Sequence, residues 1–143
     1  EAMMVAAAEE ARAYGEENAP LLVGVSVLTS LDERNLREQL GVDRSVEDHM
    51  VLLSKLAMQC GLDGVVCSAQ EVQAIRQGIG PKGVIVTPGI RLAAGESHDQ
   101  RRVGTAAQAL ADGADYLVVG RALTSSPDIE AALAGLGLET AAA

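Results

Sequence analysis

Four short apolar runs, each bounded by turn-forming residues, constrain this chain more than any other feature: Leu21–Val27 (LLVGVSV), the centre of Gly61–Glu71 (GLDGVVCSAQE), Gly83–Ile90 (GVIVTPGI) and Asp115–Arg121 (DYLVVGR). They are continuously apolar and not alternating, the pattern of parallel strands covered on both faces. Helical segments separate them. In one, Val46, Met50, Leu53, Ala57 and Cys60 step by three and four, so one helix face is apolar. Strand and helix in alternation predict a parallel α/β sheet.

Punctuation residues place the boundaries. Glu1–Gly15 reads as a helix with Met4, Ala7, Ala8 and Ala11 on its apolar face. Ser30 with Glu33, and Ser68 with Glu71, have capping-box spacing and predict helix starts. A further helix begins near Ser45 and stops at Gly61. Thr105 with Gln108 opens the next, and Ser126–Pro127 the last, with proline at the first helical position. No linker or low-complexity segment divides residues 1–143, which are expected to form a single domain. Tyr14 and Tyr116 are the only aromatic residues, so Val, Leu, Ile, Ala and Met must build the core.

Composition excludes several function classes. A net charge of −9 argues against a nucleic-acid surface, which needs clustered Lys and Arg. No apolar run reaches the ~20 residues that span a bilayer. Cys60 and Cys67 fall on apolar segments without His or Cys partners at ligand spacing, so no metal site is expected. His49 and His98 each neighbour an Asp, an arrangement that rarely makes a dyad. G-x-S-x-G, P-loop and H-E-x-x-H motifs are absent.

Two architectures fit four strand–helix units: an open doubly wound sheet or half of a (β/α)8 barrel. No G-x-G-x-x-G follows the first strand, which weakens a dinucleotide-binding reading. Polar or special residues follow every strand: Thr29, Ser68, Pro88–Arg91 and Gly120–Arg121. A barrel assembles its active site from such loops on one face. Gly120 lets a ligand approach the backbone, Arg121 offers a planar charged fork, and a helix start beyond adds oriented N–H groups. The polar stretch Arg91–Arg102 contains Gln100, whose amide can both donate and accept.

The ordered motifs TPGIR (Thr87–Arg91), DQRR (Asp99–Arg102) and DYLVVGR, with LLVGVSVLTS and CGLDGVVCSAQE before them, resemble bacterial orotidine 5′-monophosphate decarboxylase from Glu1 to about Leu136. The resemblance implies the C-terminal half of a TIM (β/α)8 barrel, strands five to eight with their helices. It implies removal of CO2 from orotidine 5′-monophosphate to give uridine 5′-monophosphate in de novo pyrimidine biosynthesis, in the cytoplasm. It further implies that no cofactor or metal takes part and that the full-length form is a homodimer. Thr29 would lie by the pyrimidine. Arg91 and Arg121 would hold the phosphate, Arg121 with the Gly120 amide, and Gln100 would reach phosphate and base.

The family's catalytic lysine and Asp-x-Lys-x-x-Asp motif belong to earlier strands. That motif does not occur in this sequence, and Lys55 and Lys82 are its only lysines. No catalytic residue is therefore expected in these 143 residues, and the chain alone should not turn over substrate. Ala122 and Leu92 stand where the family often has proline. The alternatives are a half barrel that binds ribonucleotide phosphates without chemistry, or a sugar-phosphate decarboxylase of the same superfamily.

Overall fold

In the computed structural model the described residues are 1–15, 17–91 and 104–137. The order is α1 (Ala2–Arg12), β1 (Val23–Val25), α2 (Glu33–Leu40), α3 (Val46–Gln59), β2 (Gly64–Val66), α4 (Val72–Ile79), β3 (Val84–Pro88), α5 (Ala106–Ala111), β4 (Tyr116–Val118), α6 (Arg121–Thr124) and α7 (Ile129–Gly135). The strands form one parallel sheet in the order β1-β2-β3-β4. β2, β3 and β4 each pair with the strand before it, the sequential parallel order of a (β/α) barrel.

The two faces of the sheet differ. Gly24, Val65 and Ile85 share one row. Val65 and Ile85 pack with Met50, Ala57, Val72 and Ile75 in the core. A Cβ built on Gly24 would lie 3.0 Å from Leu62 and 3.5 Å from Ala57, so this row faces the helices. The alternate positions face away, as the two-residue period of a strand requires. There Val25 is 61% exposed and Val118 50%, with Val23 and Tyr116 also exposed. The apolar runs predict cover on both faces; among the described residues, helices cover one. Four strands curve through only part of a barrel wall and leave its inward side open.

The caps show where local chemistry prevailed. Ser45 accepts from the Asp48 amide where the apolar stripe predicts a helix start, and Thr105 from the Gln108 amide, as their spacing predicts. The helix expected at Ser30 is instead capped by Asp32, which forms a reciprocal box with Asn35. The last helix is capped by Asp128, which accepts from the Ala131 amide; Ser126 Oγ serves the Asp128 amide. In both cases a carboxylate, a strong acceptor for helix N–H groups, displaces an earlier serine. The segment 115–121, expected as strand throughout, is strand only over Tyr116–Val118, and Gly120 caps α6.

Candidate functional site at the carboxyl rim of the sheet

The register puts four of the expected site residues, Thr29, Arg91, Gly120 and Arg121, on one rim. Val25 pairs with Val66, Val66 with Val86, and Val86 with Tyr116. Four residues beyond this row stand Thr29, Gln70, Ile90 and Gly120; five beyond stand Ser30, Glu71, Arg91 and Arg121. Arg91 and Arg121 thus leave adjacent strands at equivalent steps. Ligands of parallel α/β sheets bind at this carboxyl end.

Arg91 follows a sharp exit from β3. Gly89, at φ 80°, adopts the left-handed conformation that favours glycine. Ile90 then bridges Gly104, and the Arg91 amide donates to the Gly104 carbonyl at 3.1 Å. Arg91 is 9% exposed, and its Nη1 donates to the Ile90 carbonyl at 3.0 Å. Arg91 lines a cavity of about 360 Å³ with Thr105, Ala106, Gly135 and Leu136. Arg121 does not line that cavity. It is exposed at the first position of α6.

Gly120 is exposed, and a Cβ added to it would meet no heavy atom within 4 Å. Its carbonyl accepts from the Leu123 and Thr124 amides at 2.9 and 3.1 Å, which fixes the turn into α6. Thr29 is half-buried in the turn after β1, where the Leu31 amide donates to the Leu28 carbonyl at 2.9 Å. Gln100 lies outside the described residues, as do His98, Arg101 and Arg102. Lys55 is exposed on α3; Lys82 is exposed in the turn before β3, at the opposite end of the strands from the rim.

Two features at this rim have other roles than their sequence spacing indicates, or no sequence signal at all. Ser68 and Glu71 do not cap a helix. Glu71 itself occupies the cap position of α4 and makes no side-chain cap bond. Ser68 Oγ donates to the Glu71 carboxylate, and the Glu71 amide donates to the Ser68 carbonyl at 3.2 Å. Both residues are buried. The spacing identified a local hydroxyl–carboxylate pair, and burial turned it into a brace for the end of β2. Gly104, which closes the base of the segment after Arg91, carries no motif.

Among the described residues no group of three His, Cys, Asp or Glu could hold a metal ion, and no helix is long and apolar enough to cross a membrane. Cys60 and Cys67 are buried free thiols.

The family model described as "Orotidine 5'-phosphate decarboxylase / HUMPS family" matches residues 1–136. Orotidine 5'-phosphate decarboxylase of Moorella thermoacetica is 49% identical over 142 residues, covering 96% of this chain and 56% of that protein. The Vibrio cholerae protein of the same name is 48% identical over 133 residues, with 93% and 57% covered. Among solved structures, orotidine 5'-phosphate decarboxylase from Lactobacillus acidophilus superposes with a TM-score of 0.76 at 31% identity, over 94% of this chain and 56% of that one. An uncharacterized conserved protein from Geobacillus kaustophilus gives 0.73 at 35% identity. The chain spans a little over half the length of the curated relatives it matches. The sequential parallel sheet corresponds to about half of such a barrel. With the family's pattern matched from residue 1 to residue 136, the chain belongs to the orotidine 5'-phosphate decarboxylase / HUMPS family.

Proposed function

We propose that the protein decarboxylates orotidine 5′-monophosphate to uridine 5′-monophosphate in pyrimidine biosynthesis, and that residues 1–143 form one partial barrel domain supplying phosphate and pyrimidine contacts. One observation carries this reading: Arg91 and Arg121 leave adjacent paired strands at equivalent steps, with an approachable glycine, Gly120, beside the second. Two guanidinium groups and an open backbone suit a phosphate dianion. Thr29, on the same rim, would lie by the pyrimidine, and Gln100 would reach phosphate and base. The full protein acts as a cytoplasmic homodimer without metal or organic cofactor.

The phosphate is remote from the bond that breaks. Its binding energy can be expressed in the transition state if it orients the substrate against charges fixed elsewhere in the protein. None of Thr29, Arg91, Gln100, Gly120 or Arg121 is assigned a proton transfer. The lysine and carboxylates that perform the chemistry are assigned to the family's Asp-x-Lys-x-x-Asp segment, which this sequence does not contain.

The test compares uridine 5′-monophosphate with uridine, by calorimetry on the protein expressed from its full reading frame. The nucleotide should bind more tightly. Arg121→Ala should weaken nucleotide binding by about ten- to a hundredfold, the loss of one charge-assisted contact, and leave uridine unchanged. Equal affinity of the unmodified protein for both ligands would sink the reading.

A further inference from the structure

The base of the segment that follows Arg91 rests on a neighbouring strand end through two small residues. Gly104 pairs with Ile90 and accepts from the Arg91 amide. A Cβ built on Gly104 would lie 2.5 Å from the Ala69 Cβ, closer than real side chains approach. Ala69 cannot readily yield. It is 4% exposed and lies between Ser68 and Glu71, whose hydroxyl–carboxylate bond and amide–carbonyl bond brace its turn. The backbone that carries Arg91 is thus seated against the end of β2, two strands away from Arg121.

We infer that Gly104 and Ala69 are positioning residues for the phosphate site: their close contact sets the height of Arg91 on the rim relative to Arg121. The inference rests on the phosphate reading proposed above and adds residues that touch no ligand themselves. Its physical basis is the tolerance of a two-point grip. Two guanidinium groups share one phosphate only while their spacing holds, and a displacement of about an ångström is enough to lose such a contact. A methyl group at position 104 must move the pair Ile90–Gly104, and Arg91 with it, because the other side of the contact is held by buried hydrogen bonds.

The experiment measures the ratio of uridine to uridine 5′-monophosphate dissociation constants, the increment due to phosphate alone, in the protein expressed from its full reading frame. Gly104→Ala should reduce that ratio about tenfold, as loss of one of two charged contacts would, and leave uridine affinity unchanged. The double variant Gly104→Ala/Ala69→Gly, which removes the methyl group opposite, should restore the ratio. If Gly104→Ala does not accumulate as folded protein, Ala69→Val crowds the same contact from the other side and should show the same selective loss. An unchanged ratio overturns the inference. So does an equal loss of both ligands, or a double variant that stays as weak as the single one, since either marks general damage to the fold. If the unmodified protein shows no phosphate increment, the phosphate reading itself falls and takes this inference with it.

Discussion

The Arg76 guanidinium donates to the Asp115 carboxylate at 2.6 Å, tying α4 to the residue that precedes β4. The same guanidinium donates to the Gly113 carbonyl at 2.7 Å and to the Gly80 carbonyl at 2.9 Å. Asp115 also accepts from the Ile85 amide of β3 at 2.7 Å. This cluster sits at the amino end of the strands, opposite the candidate site. It satisfies backbone groups that the loops would otherwise leave bare.

Removing either partner should cost stability unequally. Arg76 is the less exposed of the two and serves more groups. Arg76→Ala should destabilise by about 2–3 kcal/mol, and Asp115→Ala, whose side chain is 43% exposed, by about 1 kcal/mol. Arg76→Lys should recover only part, because a single ammonium cannot reproduce the planar fork. Urea midpoints at constant slope measure these values. A larger loss in Asp115→Ala than in Arg76→Ala would contradict the assignment of Arg76 as the centre of the cluster.

Ser54 offers a change in the other direction. It is fully buried on α3, and its hydroxyl has no hydrogen-bond partner among the described residues. A buried hydroxyl without a partner carries an uncompensated desolvation cost, and alanine is the better helix former. Ser54→Ala should therefore raise stability by about 1 kcal/mol, read as a higher melting temperature. A lower melting temperature would mean that the hydroxyl is satisfied in solution.

The open sheet face makes a prediction about association. Val25 and Val118 expose apolar surface on the two edge strands, β1 and β4. Contiguous apolar surface with unpaired strand edges favours self-association. Prepared as a 143-residue chain, the protein should sediment as a concentration-dependent assembly. Val118→Lys should weaken assembly about tenfold, roughly the burial free energy of one valine. A unmodified chain that stays monomeric up to high concentration would show that this face is covered in some other way.

Much of the fold was legible because its signals are local. The four apolar runs contain the four strands, Ser45 caps the helix that the apolar stripe indicates, and Thr105 caps the one that its spacing indicates. The misplaced starts at Ser30 and Ser126 have one cause: an aspartate two residues later makes the stronger cap. The four-residue helix α6 was not foreseen, since one turn is too short to show a period. At the site, the common rim of Thr29, Arg91, Gly120 and Arg121 followed from their places after strands. The depth of Arg91 and the contact of Gly104 with Ala69 did not. Both depend on pairing register between distant segments, and glycine and alanine carry no motif that would announce it.

The strand order has a consequence for how the molecule comes to exist. Each of β2, β3 and β4 pairs with the strand made just before it. As the chain leaves the ribosome amino end first, each new strand meets an edge already synthesised and need not await a later partner. Growth can proceed one unit at a time, with the helices laid on the outer surface as they appear. The rim residues of the last two strands are then the last of this sheet to be set in place, so the candidate site is complete only when the sheet is.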